Sequence, residues 1–191
     1  MILRIDHVAI AVRDFQKAYH FFTQVLGAVP AAKAPDERLR FMWHTFSLGD
    51  LSRMELVTPT GPGSFLDGFL KTREGGVHHI TLQTDDIYAA KQELEKQGVP
   101  YFGFADYGPV WKELFIHPRD AFGVLIQIAQ FTADDWLPPD SRFPGKRRFQ
   151  VSPSDDGITF TCAHPGGGTF FLDLTGDEAR TLCDDILAAL K

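Results

Sequence analysis

The chain is poor in cysteine. Only Cys162 and Cys183 occur in 191 residues, and neither belongs to a C-x-x-C pattern. No disulfide between them is expected, and a reduced, cytoplasmic protein is the default. Long hydrophobic runs are missing too: none approaches the roughly 18 residues of a membrane helix. The N-terminus has no charged segment followed by an apolar one. Met-Ile-Leu-Arg-Ile runs straight into a strand pattern, so no signal peptide is expected. Positive charge is in short supply. Lys+Arg number 19 against 25 Asp+Glu, a net charge of −6, which argues against a nucleic-acid partner. The small basic knot Lys146-Arg147-Arg148 reads as solvated linker. What remains is an ordinary globular composition, 44% hydrophobic and 23% charged, in a length that suits one core or one core plus an appendage.

Against these absences stands a repeat. Ile-Asp-His-Val-Ala-Ile-Ala-Val (5–12) is echoed by Gly-Gly-Val-His-His-Ile-Thr-Leu (75–82). Each is an apolar run with histidine near its start, followed by aspartate and a helical pattern. His7 and His79 stand 72 residues apart, and so do Glu55 and Gln127. A repeat of this length sets the fold before any single element does.

Taken in order, residues 3–12 alternate as a strand, with Val8, Ile10 and Val12 on one side and His7, Ala9 and Ala11 on the other. Asp14 caps a helix over about 15–26, closed by Gly27. Residues 30–38, rich in Pro, Ala and charge, read as a loop. Strands follow at 39–48 and 53–58, with Met54 and Leu56 facing away from Glu55. Phe65, Leu66, Phe69 and Leu70 form a short helix leading to the second module. There a strand at 77–84 precedes a helix at about 86–97, capped by Asp85 and closed by Gly98. Strands near 99–103, at 111–117 and at 122–130 complete it. The fold expected is α+β. Paired β-α-β-β-β modules, 3–60 and 76–130, form a curved mixed sheet around a metal cleft within a domain 1–130.

Residues 131–146 read as a linker, marked by Pro138-Pro139 and Pro144-Gly145. Residues 147–191 read as a C-terminal β-β-β-α extension. Its strands lie near 147–152, 157–163 and 169–174, with a turn at 164–168. Thr175-x-x-Glu178 is a capping box opening the last helix, whose apolar stripe is Leu182, Cys183, Ile186 and Leu190. About 45 residues are too few to bury a core alone, so this piece is expected to dock on the main domain or on a second subunit.

His7, Glu55, His79 and Gln127 all fall on expected strands, opposite their apolar neighbours. Singly, each has a plain explanation as a hydrogen-bonded rim or edge residue. Both pairs sharing one offset within a repeat points instead to a metal. Two imidazoles and a carboxylate suit a borderline or hard divalent ion, and the Gln127 carbonyl oxygen can serve as a fourth, neutral ligand. By strand alternation, His78 faces the side opposite His79 and is expected to be a packed residue, not a ligand.

The segments 5–12, Met-Glu-Leu-Val-Thr-Pro at 54–59, Phe-Leu-Lys-Thr-Arg-Glu-Gly-Gly-Val-His-His-Ile at 69–80, and Ile-His-Pro-Arg-Asp-Ala-Phe-Gly-Val-Leu-Ile-Gln-Ile at 116–128 resemble the vicinal oxygen chelate superfamily, and within it the methylmalonyl-CoA epimerase family most. Glyoxalases come next. The resemblance covers residues 3–130. It implies a divalent metal (Co, Zn, Ni or Mn) at His7, Glu55, His79 and Gln127. It also implies an anionic substrate chelated through two neighbouring oxygens, such as an acyl-CoA thioester, and a homodimer. A metal on both oxygens stabilises the enolate formed when the carbon between them loses its proton to a nearby carboxylate. Three other readings stay open: a glyoxalase-like lyase or isomerase, an iron(II) ring-cleaving dioxygenase, and a non-catalytic small-molecule binder.

One departure matters. In the epimerases that the chain resembles, Gln stands at the position of Glu55 and Glu at that of Gln127; here the two are exchanged. Gln127 cannot ionise. The family's second base, a Glu on a first-module strand, has no match between residues 39 and 48. The pseudo-two-fold offers a partner: Glu113, in Trp-Lys-Glu-Leu-Phe (111–115), with Leu114 and Ile116 turned to the helices. Glu55 and Glu113 are then the expected catalytic pair, in a site reversed relative to the family.

Overall fold

The structure is a computed structural model and describes residues 2–49, 52–136, 147–163 and 169–191. Its first module is β1 (Ile2–Val12), α1 (Phe15–His20), β2 (Val29–Asp36), β3 (Phe41–Ser47) and β4 (Arg53–Pro59). A short helix α2 (Asp67–Leu70) leads to the second: β5 (Gly75–Thr84), α3 (Ile87–Lys96), β6 (Phe102–Asp106), β7 (Lys112–Ile116) and β8 (Ile126–Gln130). All eight strands share one sheet in the order β2-β3-β4-β1-β5-β8-β7-β6.

The order is a palindrome of the two modules. β1 runs parallel to β4 and β5 parallel to β8, while β1 and β5 pair antiparallel at the centre. Register carries the repeat down to single residues. Ala9 pairs with Glu55 in one module, and Thr81 with Gln127 in the other. Each pair is the other shifted by the same offset. The expected α+β architecture is therefore the observed one.

Several local readings differ. Residues 30–38 are not a loop: β2 spans most of them and pairs with β3. Pro30 and Pro35 are tolerated because β2 lies at the sheet edge, where a missing N–H breaks no ladder on the open side. The first helix gives way at Phe21–Val25 to a π turn before Gly27 takes a positive φ of 72°. The second helix is capped by Asp86 rather than Asp85, the Asp86 side chain accepting from the N–H groups of Tyr88 and Ala89. Asp14 caps α1 as expected. The strand expected near 99–103 is displaced to β6, and the one expected at 122–130 is shortened to β8. Phe122 and Gly123 both take positive φ in the turn before β8.

The convex face packs on the helices. Val12, Phe46, Met54 and Leu56 meet Phe15, Ala18 and Phe22 on the first-module side, and Leu114, Ile116 and Ile128 meet Ile87 and Leu94 on the other. The concave face is closed at its two ends by the segments that follow β4 and β8. Leu66 and Leu70 pack with Val57 at one end, and Phe131 and Ala133 with Ala129 at the other. Val57 and Ala129 are again repeat partners.

His44 is a polar ring inside the first cluster, 4% exposed and packed among Phe15, Tyr19 and Phe46. Its Nδ1 has no hydrogen-bond partner among the described residues. Burial, helped by Lys33, pushes its pKa below the ordinary value. An unfolded histidine takes a proton near pH 6.5, whereas this one resists until lower pH. The folded state thus loses stability as pH falls through about 6.5. His44→Phe is expected to stabilise by about 1–3 kcal/mol at pH 8, by removing the unpartnered nitrogen, and by more at pH 5.5. Urea unfolding at both pH values measures this; an equal gain at the two would break the link to protonation.

After residue 136 the next described elements are β9 (Phe149–Ser154), β10 (Gly157–Ala163), β11 (Thr169–Thr175) and α4 (Gly176–Ala189). The three strands form a separate antiparallel sheet, and Thr175 and Glu178 make the expected capping box. Of the linker expected over 131–146, residues 131–136 instead pack on the main domain, Phe131 and Ala133 being buried with Ala129; residues 137–146 and the turn at 164–168 lie outside the described residues. Among the described residues, every buried apolar side chain falls between Ala9 and Ala133. The extension's Phe149, Phe171, Leu172 and Ile186 are exposed, in keeping with a piece too small to bury a core.

Candidate metal centre

Four strands at the middle of the sheet carry the site. His7 is on β1, Glu55 on β4, His79 on β5 and Gln127 on β8, and all four are buried. Nε2 of His7 and Nε2 of His79 each stand 3.7 Å from Oε2 of Glu55. One donor atom from each of the three lies within 4.8 Å of the others. Two donors about 2.1 Å from a shared ion stand about 3–4 Å apart, so the triad fits a divalent metal without rearrangement of the strands. The donor set, neutral nitrogen plus carboxylate oxygen, is right for such an ion.

The other ring nitrogens are occupied. Nδ1 of His7 is 2.7 Å from Oδ2 of Asp6, and Nδ1 of His79 is 3.0 Å from Nδ1 of His78. Such partners fix the ring orientation and turn Nε2 toward the centre. Both come from the same device. The β1–β5 ladder skips Asp6 on one strand and His78 on the other, each a β-bulge just before its histidine. The bulge overrides alternation. His78 therefore does not face away from His79, as the strand period predicts, but lines the same cavity and packs on Phe65 and Phe69.

Asp6 ties this shell to charge. Burial alone would raise its pKa, but the His7 hydrogen bond and the Arg53 and Arg4 charges hold it below the ordinary carboxylate value. Arg53 donates to Asp6 from Nη2 and lies over the Phe131 ring. Burial, with His7 and His78 nearby, pushes His79 well below the usual imidazole value, so it is neutral and ready to ligate at neutral pH. Burial raises Glu55 against the pull of His7, with Asp6 and Glu113 pushing the same way.

Glu113 is on the cavity face. Its Oε2 accepts from Nε2 of Gln127 at 2.6 Å and from Nε1 of Trp111 at 2.8 Å. Because the Gln127 amide nitrogen points at Glu113, its carbonyl oxygen is left on the side of Thr81, whose hydroxyl donates to it at 2.5 Å. Thr81 Oγ1 also lies 2.9 Å from Nε2 of His7. Burial pushes Glu113 up, opposed by the Trp111 and Gln127 hydrogen bonds. Asp36 adds to the rise and Arg38 opposes it. Asp36 ends β2 and Arg38 lies in the turn to β3, and both line the same cavity, of about 1070 Å³.

The structure thus gathers all five expected site residues, His7, Glu55, His79, Gln127 and Glu113, around one cavity. Sequence reasoning missed Asp6, Asp36, Arg53 and Trp136 in its lining and Thr81 behind it. Two left a signal. Asp6 occupies the repeat position of His78, and Arg53 stands two residues before Glu55, hence on its face.

The sequence profile of the glyoxalase/bleomycin resistance protein/dioxygenase superfamily matches residues 6–112. Mouse mitochondrial methylmalonyl-CoA epimerase is 37% identical over 130 residues, covering 66% of this chain and 72% of that one. The ethylmalonyl-CoA/methylmalonyl-CoA epimerase of Cereibacter sphaeroides is 37% identical over 136 residues, covering 68% and 99%. Among solved structures, the methylmalonyl-CoA epimerase of Mycobacterium tuberculosis superposes with a TM-score of 0.62 at 27% identity, covering 68% of this chain and 88% of that one. A methylmalonyl-CoA epimerase bound to methylmalonyl-CoA and ammonium gives 0.63 at 26% identity, covering 72% and 100%. The palindromic sheet, the convergent His-Glu-His triad and the profile match all lead to one family: the chain belongs to the glyoxalase/bleomycin resistance protein/dioxygenase superfamily.

Proposed function

We propose that the chain is a metal-dependent epimerase acting on a malonyl-type acyl-CoA thioester. The observation that carries this is the closeness of Glu113, through Gln127, to the His7–Glu55–His79 triad in one cavity. Relatives named for epimerisation of methylmalonyl-CoA support it. A divalent metal (Co, Zn, Ni or Mn), held by His7, Glu55 and His79 with the Gln127 carbonyl oxygen as fourth donor, would supply Lewis-acid stabilisation to an enolate.

The chain's own groups do the rest. An epimerase removes a proton on one side of a carbon and returns one on the other, so it needs two acid/base groups. Glu113 can take one proton: both of its hydrogen bonds fall on Oε2, so neither uses Oε1. Its raised pKa brings it nearer the working pH, which suits a group that must both take and give a proton. Glu55 is the second group, its carboxylate lining the same cavity as Glu113. Gln127 has no titratable proton and holds Glu113 in place. Asp6 holds His7, and His78 holds His79. Two histidines and a carboxylate also make the facial triad of iron(II) dioxygenases, so the metal identity separates the two readings.

The reading includes a homodimer and an anionic thioester as partners. Residues 131–136 pack on the main domain, and the extension 147–191 docks on that domain or on a second copy. No helix among the described residues is long and apolar enough to cross a membrane.

The test is to determine the metal bound after purification without added metal and then to incubate the protein with methylmalonyl-CoA in deuterated water. One deuteron at the α-carbon with inversion is expected. No exchange with any malonyl-type thioester would end the epimerase reading. Bound iron with oxygen consumption would favour the dioxygenase.

A further inference from the structure

The cavity is closed at one end by a residue of the segment that follows the second module. Trp136 lies beyond the profile match, which ends at residue 112. Its indole meets Trp43 with ring centroids 5.7 Å apart and Trp111 edge-on at 5.4 Å. Trp43 is on β3 and Trp111 adjoins β7, with four strands between β3 and β7 in the sheet order. Only the curl of the sheet brings the two within reach of one ring. Trp136 therefore spans the open side of the half-barrel and joins the two modules, and it lines the same cavity as the metal triad.

The wall it builds lies next to the acid/base group. Trp111 donates its Nε1–H to Glu113, packs flat on Phe131 at 4.7 Å, and is braced by Trp136. Across the cavity the two-fold counterpart of Glu113 is Trp43. Each stands two residues before the partner of the exchanged pair: Thr45 faces Glu55, and Phe115 faces Gln127. One half of the site thus presents a carboxylate where the other presents an indole.

We infer that Trp136 sets the size of the α-substituent the site accepts. The inference rests on the epimerase reading above. A base must come within about 3 Å of the proton that it takes, so the reacting carbon lies close to Glu113. The alkyl group on that same carbon is one bond further away. It must then occupy space bounded by Trp111, Trp43 and the indole of Trp136, a wall of three aromatic rings with no charged group to receive a second carboxylate. The substituent is therefore a short alkyl group, and each added methylene presses on Trp136.

The test compares methylmalonyl-CoA with ethylmalonyl-CoA in the metal-loaded full chain and in Trp136→Ala and Trp136→Phe. A methylene in an apolar pocket is worth about 10–200-fold in discrimination. Trp136→Ala is expected to raise the ethyl-to-methyl ratio of kcat/KM by about 10-fold or more, and Trp136→Phe by less in the same direction. Calorimetric Kd values for the two thioesters in a Glu113→Gln background, where turnover does not interfere, should shift the same way with Trp136→Ala. If the unsubstituted chain exchanges the α-proton of neither thioester, the epimerase reading fails first. If it exchanges them and the ratio stays the same in both variants, the assignment of Trp136 is wrong and the epimerase reading stands.

Discussion

His79→Ala should strip the protein of most of its divalent metal. Nε2 of His79 stands 3.7 Å from Oε2 of Glu55, the same oxygen that Nε2 of His7 approaches. Removing it leaves one imidazole and one carboxylate, and two strong donors do not make a closed site. Partners that only orient a ligand are worth about 10–100-fold in affinity, so losing a ligand should cost more than about 100-fold. His7→Ala should do the same. Asp6→Asn, which keeps the shape but weakens the acceptor at Nδ1 of His7, should fall in the lower range. The measurement is metal content after equilibrium dialysis against a chelator buffer. Circular dichroism on the same samples confirms that the fold persists. Full occupancy in both histidine variants would remove the metal from this account.

Glu113→Gln is expected to keep the metal and bind the thioester yet lose epimerisation by about 10²–10⁴ in rate, the usual contribution of a positioned acid or base. Glutamine is the right probe here. Trp111 and Gln127 both donate to the same oxygen of Glu113, and an amide carbonyl can accept both bonds in its place. Geometry is retained and only the titratable proton is lost. Exchange of the α-proton by Glu55 can survive on one stereoisomer, so deuterium uptake and racemisation should separate in this variant. Racemisation at the unsubstituted rate would overturn the two-carboxylate mechanism and leave a single-base reaction at Glu55.

Much of this site was legible before any coordinates, because a repeat converts spacing into place. One offset of 72 residues relates His7 to His79 and Glu55 to Gln127. Once β1 and β5 pair about a two-fold, residues at one offset take equivalent places on either side of the axis, and His7 and His79 lie close to it. Strand alternation did the same for the convex face, where Met54, Leu56, Leu114 and Ile116 pack as their period demands. Alternation failed where the ladder itself is irregular. His78 was expected opposite His79, and a bulge brings it to the same cavity. β2 was read as a loop because proline and charge are loop signals; an edge position, which is a property of the whole sheet, makes them tolerable.

Composition, period and repeat therefore determined that this chain folds as two matched halves, which face is apolar, and which four side chains meet at the centre. All of these follow from local spacing or from symmetry. Tertiary structure alone decided which groups surround that centre. Asp36 at the end of β2 and Trp136 between Trp43 and Trp111 are joined by no period. They meet because the eight-stranded sheet curls, and how far a sheet curls is set by its bulges and its packed helices together rather than by any one segment.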